Sequence, residues 1–210
     1  MKKATNKKSK TIKTPTGAAI IFILNAAGLF FSIFGNFALP FLKEGAKEYT
    51  VLEIIQGLII ASAMMVFGII LINKKYNKTL VYSSAFLLVS NIITLNGITI
   101  LEITNMFFFL LLLGFTYVMV CMKEKPIREN VAKFRYILPI FFLITLLFSL
   151  LQTIQTLSDT LVNNSGAQLS ESMSRAAVIV PSLLFIPSGV FLAIAYTLLV
   201  NWLVNPYKEK

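Results

Sequence analysis

Few side chains in this chain are able to do chemistry. There is no histidine, which removes the usual general base, the commonest metal ligand and the usual switch near neutral pH. There is one cysteine, Cys121, so neither an internal disulfide nor a cysteine metal cluster can form. The phosphate-cradling pattern GxxxxGK[ST] is absent, and HExxH cannot occur without histidine. What remains is a set of amides and carboxylates inside otherwise apolar segments: Asn36, Glu53, Gln56, Asn91, Gln152 and Asp159. Away from water such groups need a partner, an ordered water or a ligand. They are the candidate ligand-binding residues. No enzyme, metal site or cofactor is expected from this inventory.

The elements that must carry these residues follow from composition. Of the 210 residues, 57% are hydrophobic and only 13% are charged, and the net charge is +10. Mean hydropathy is +0.79. Charges are bunched between long apolar runs, which a water-soluble fold of this size cannot bury. The expected solvent is therefore lipid. The fold class expected is all-α: a polytopic membrane protein, a compact bundle of six transmembrane helices with short loops, at about 17–42, 51–73, 79–96, 104–122, 136–157 and 176–204. A basic cytoplasmic tail (1–16) precedes the bundle and a short tail (205–210) follows it. The first apolar run is too long for a signal peptide and has no A-x-A site, so it is read as a retained helix.

The stretch Leu80–Met122 decides the count. A single helix of that length would be about twice as long as the hydrocarbon is thick. It must turn, and Asn96-Gly97 is the turn signal. Basic residues give an independent test. Six crossings from an inner N-terminus place sixteen lysines and arginines inside and three outside. One crossing fewer gives ten and nine. The positive-inside bias selects six, with both termini cytoplasmic. Glu102 then lies at an outer hairpin. The lysine-rich tail is read as a disordered topology and lipid anchor rather than a nucleic-acid arm. The style of the sequence points to a bacterial plasma membrane.

Lipid-embedded helices pack through small residues and polar groups. The expected packing stripes are Asn25, Gly28, Ser32 and Asn36; Glu53, Gly57 and Ala61 with Gln56 beside them; Ser83, Ser84, Ser90, Asn91 and Thr94; Thr145, Ser149, Gln152, Thr156 and Asp159; and Gly189, Ala193, Thr197 and Asn201. The segment 104–122 has almost no polar face and is expected outside a ring of the other five. The six candidate residues all fall in the outer halves of their helices, which predicts an outward-facing polar cavity. Pro181 and Pro187 are expected to bend the last helix.

Two functions fit. The first is a small-solute binding or transport subunit, whose missing ATP motif calls for a partner or an ion gradient. The inner loop 123–135, where Pro126 can start a short helix, is a candidate docking segment for that partner. The second is a non-transporting accessory, assembly, sensor-partner or immunity protein. In size and helix count the chain resembles the substrate-binding membrane subunits of energy-coupling-factor importers. Their alanine-x-x-x-alanine coupling motif has no counterpart in the first helix, where Gly28-x-x-x-Ser32 is the loosest substitute. The resemblance carries no residues across.

Overall fold

A computed structural model describes residues 10–12, 15–38, 51–94, 100–163, 171–205 and 207–209. Side chains are described over 15–34, 51–52, 54–94, 100–151, 154 and 188–205. The described chain is helical except for two three-residue strands. The helices are α1 (Thr16–Ala38), α2 (Val51–Ile72), α3 (Lys78–Ile93), α4 (Ile100–Cys121), α5 (Lys125–Lys133), α6 (Ile137–Asn163) and α7 (Glu171–Val204). The strands β1 (Lys10–Ile12) and β2 (Tyr207–Glu209) pair antiparallel, Lys10 opposite Glu209 and Ile12 opposite Tyr207.

Among the described residues, four stretches are long and apolar enough to cross a membrane: Thr16–Phe34, Ile54–Ile72, Ile100–Cys121 and Lys125–Leu151. Two shorter apolar helices, Lys78–Ile93 and Ser188–Val204, stand beside them. At 16 residues, α3 rises about 24 Å, less than a typical hydrocarbon core of about 30 Å.

Local chemistry sets the ends at the α2–α3 turn. The Lys75 N–H donates to the Ile70 carbonyl (3.4 Å) and the Lys74 N–H to that of Leu71 (3.2 Å). This is a Schellman motif, and Lys74 takes its left-handed position at φ 53. Asn77 then caps α3, its Oδ1 accepting from the Thr79 N–H at 3.0 Å. Pro126 opens α5, where its missing N–H costs nothing. At the start of α4, Glu102 sits in the first turn, where a carboxylate complements the helix dipole. The last helix is continuous through Pro181 and Pro187.

The six long helices close a ring in the order α1, α2, α3, α4, α6, α7 and back to α1, and α4 also touches α7 across it. The expected place of the 104–122 segment outside the ring is therefore wrong. Five residues of α4 are buried: Phe108, Leu112, Phe115, Thr116 and Met119. An apolar face packs as well as a polar one when its rings and branches interlock with neighbours.

The centre is aromatic. Phe22 of α1 meets Phe67 of α2 edge-on at 5.1 Å between ring centroids. It also meets Tyr196 of α7 at 5.2 Å. Tyr196 continues to Phe108 of α4 (4.7 Å) and Phe142 of α6 (4.9 Å). Five helices thus share one cluster of rings in tilted and edge-to-face geometry, which favours the ring quadrupoles.

The β1–β2 pair corrects the reading of the basic tail as disordered throughout, because Lys10–Ile12 pair with the other terminus. Residues 1–9 lie outside the described part.

Candidate functional site

Neighbouring helices alternate in direction, so the bundle has two ends. The Phe22–Phe67 contact and the approach of Ile33 to Gly57 show α1 and α2 antiparallel. Leu146 against Gly189 and Phe142 against Tyr196 do the same for α6 and α7. One end, called here the tail end, holds the strands, the α2–α3 turn and α5. The far end holds the close of α1, α3 and α6 and the start of α2, α4 and α7.

By backbone position, Asn36, Glu53, Gln56, Asn91 and Asp159 belong to the far half of the bundle, with Gln152 nearer the middle of α6. The side chains of Asn36, Glu53, Gln152 and Asp159 lie outside the described residues, so the predicted cavity stands on backbone placement alone. Gln56 is buried on α2 beside Gly57. Half-buried Asn91 donates from Nδ2 to the Leu87 carbonyl of its own helix at 2.9 Å.

The serine-rich face of α3 is buried, as its spacing predicts: Ser83, Ser84 and Ser90 are all inside. Their hydroxyls donate to carbonyls one turn back in the same helix, Ser84 to Leu80 at 3.0 Å and Ser90 to Phe86 at 2.7 Å. Thr116 on α4 does the same to Leu112 (2.7 Å) and lies 3.5 Å from Ser84 across the α3–α4 seam. A hydroxyl satisfied this way enters an apolar seam without an outside partner.

Two stripes behave otherwise. On α1, Gly28 and Ser32 are exposed, and nothing lies within 4 Å of where a Gly28 Cβ would sit. The buried face of α1 is Ala18, Ala19, Phe22 and Ala26 instead. The close approach to α2 is made at Gly68, whose missing Cβ leaves room for Ile23 and the Ala19 carbonyl, and the amide of Asn25 is met by the Ile21 carbonyl (2.9 Å), so no polar seam is needed. On α7, Gly189 and Ala193 are buried but Asn201 is exposed.

At the tail end the structure joins residues with no periodic signal. The Tyr76 hydroxyl lies 2.8 Å from the Met119 carbonyl and 2.9 Å from that of Leu203. Both carbonyls fall in the last turn of a helix, where no intrahelical N–H reaches them. One tyrosine in the α2–α3 connection thus serves the ends of α4 and α7. Its ring meets Trp202 edge-on at 5.4 Å. A tyrosine among the lysines of a short turn between two apolar helices was the available clue. Beside this knot a groove of about 610 Å3 opens between the start of α1 and the end of α7, lined by Thr16, Gly17, Leu198, Asn201, Trp202 and Asn205 among others.

Charge divides the two ends. Lys74, Lys75 and Lys78 lie in the α2–α3 connection, and Lys123 to Arg135 in the α4–α6 connection, all at the tail end. Glu53, Glu102, Asp159 and Glu171 are at the far end, with Arg175. No protein-family model, no curated protein and no solved structure matches this chain.

Proposed function

We propose that the chain is an integral membrane protein that crosses the bilayer six times, with both tails in the cytoplasm, and binds a small solute from the outer side. The observation that carries the proposal is the contrast between the ends. Rings from five helices fill the bundle between its middle and its tail end, and the polar candidates gather by backbone position toward the far end. A bundle closed on one side and polar on the other can receive a solute without being a conduit for it. Membrane residence is supported by large apolar side chains turned outward on every long helix, such as Leu24, Phe31, Tyr82, Leu110 and Leu147. The paired tails support an even number of crossings, and the gathering of lysines and arginines at the tail end supports placing it in the cytoplasm.

Glu53→Leu tests the solute reading. It should lower solute retention by the purified full-length protein while leaving expression unchanged. Equal retention by both proteins, read by mass spectrometry of the small molecules released on denaturation, would remove Glu53 from the site. For the topology, a cysteine at Gly97 in a Cys121→Ser background should label from outside intact cells, and one at Asn130 should not.

A second reading is favoured by the open face of α1. Gly28 and Ser32 leave a shallow strip where another membrane helix could lie, which suits an accessory protein with a helical partner. Under that reading a protein co-purifies, and Gly28→Leu displaces it.

A further inference from the structure

We infer that the α4–α6 connection is a binding site for the phosphate headgroup of an anionic phospholipid in the inner leaflet, with Arg128 of α5 as its central ligand. The inference rests on the membrane topology proposed above. It begins with how α5 is used. Val131 and Ala132 of this nine-residue helix pack against the bundle core, so its apolar side is already occupied. Lys125, Glu129, Asn130 and Lys133 face outward. What α5 offers to its surroundings is charge.

Arg128 is the unusual member. It lies on the half-buried side with Ile127, Val131 and Ala132. Its Nε is shut off from solvent and has no hydrogen-bond partner. A guanidinium N–H in that position lacks both water and an acceptor, and because the residue as a whole is only half-buried, a turn of the side chain toward an oxyanion at the surface would relieve that cost. The adjacent carboxylate is already engaged, since Glu129 lies 3.7 Å from Lys125 on the exposed side. The connection carries five basic residues, Lys123, Lys125, Arg128, Lys133 and Arg135, against Glu124 and Glu129, so it attracts anions.

Position selects lipid over protein as the source of the anion. The connection leaves α4 at Cys121 and enters α6 at Ile137, two helices from the apolar stretches long enough to span a membrane. It cannot move away from the bilayer surface. Its far side carries exposed Phe134 and Tyr136, aromatic residues of the kind that sit at headgroup level. Arg135 stacks on Tyr136, 4.7 Å from the ring centroid, and its Nη2 donates to the hydroxyl at 3.0 Å. A second guanidinium is thus held beside the first turn of α6.

The test uses full-length protein and two kinds of vesicle, one of phosphatidylcholine alone and one with phosphatidylglycerol added. Wild-type protein should float with both. After extraction into detergent it should retain phosphatidylglycerol over phosphatidylcholine, and Arg128→Gln should lower that retention about tenfold, the loss of one charge-assisted contact. Arg128→Lys should recover part of it, and Lys125→Gln should change it little. If Arg128→Gln misfolds, Arg128→Lys against wild type still reads the site. Flotation without lipid preference, or equal retention by wild type and Arg128→Gln, overturns the site and leaves the membrane reading standing. So does a protein partner lost in Arg128→Gln while lipid retention is unchanged. Failure to float with either vesicle overturns both.

Discussion

The α1–α2 pair and the α4–α6–α7 group meet the same packing demand with opposite materials. Between α1 and α2 the contact depends on what is missing. A Cβ on Gly68 would come 2.7 Å from Ile23 Cγ1 and 3.1 Å from the Ala19 carbonyl oxygen, so the two backbones lie as close as they can. At Gly57, earlier on α2, a Cβ would come 2.8 Å from the Ile33 Cδ1, so the same close approach continues along the seam. Among α4, α6 and α7 the contact depends on what is present, since the rings of Phe108, Phe142 and Tyr196 fill space no small residue could. The first region should resist added atoms, and the second should resist removed ones.

The largest effect is expected on the aromatic side. Phe108→Ala removes a ring with 1% exposure that touches Phe109, Phe142 and Tyr196, and should cost about 3 kcal/mol. Phe31→Ala, at a side chain 79% exposed, should leave the midpoint of thermal unfolding in detergent nearly unchanged. Equal shifts for the two variants would show that the ring cluster is not what holds these helices.

On the small-residue side the sign should turn with the site. Gly68→Ala should destabilise by about 1–3 kcal/mol, because one of the clashing atoms is a backbone carbonyl that cannot rotate away. Gly28→Ala meets open space and should stabilise by about 0.5–1 kcal/mol, the helix-propensity gain alone. Both are readable by denaturant titration, and a loss at Gly28 would mean that α1 has a neighbour there.

Tyr76→Phe keeps the ring against Trp202 but withdraws the hydroxyl from two helix ends. A loss of about 1 kcal/mol is expected. Hydrogen exchange should quicken in the last turns of α4 and α7 while the α1–α2 seam stays protected. A uniform change along the chain would deny that Tyr76 acts locally. The smallest effect, of opposite sign, is expected at Lys74→Gly. Relief of the left-handed strain should raise stability by up to about 1 kcal/mol, partly offset by the freer unfolded chain.

Much of this contrast was legible beforehand. Of the stripe expected on α2, Gln56 and Ala61 are buried and Gly57 is half-buried, and the serines expected on α3, Ser83, Ser84 and Ser90, are all buried. The equivalent pattern on α1 misleads, because Ala18, Phe22 and Ala26 form a competing face that no polar residue marks. The rings were illegible for a related reason. In α4 nearly every side chain is apolar, so no period separates the residues that point inward from those that point out. Of the candidate site, Gln56 and Asn91 can be followed to their surroundings, and Asn91 bonds within its own helix.

Sequence alone placed the α2–α3 turn to within a residue and showed at which end the basic connections gather, because capping, hydropathy and turn chemistry act over a few residues. The short helix opened by Pro126 belongs to that class. Sequence set the starts of α4 and α7 and the end of α6 four to six residues short of the observed ones. Tertiary structure alone decided that α4 closes the ring, that α1 turns its Gly28–Ser32 face outward, that Tyr76 joins Met119 to Leu203, and that the Arg128 Nε has no partner. Those outcomes depend on contacts between residues as many as 127 positions apart. Local propensity carries no information about which helix face will meet which neighbour.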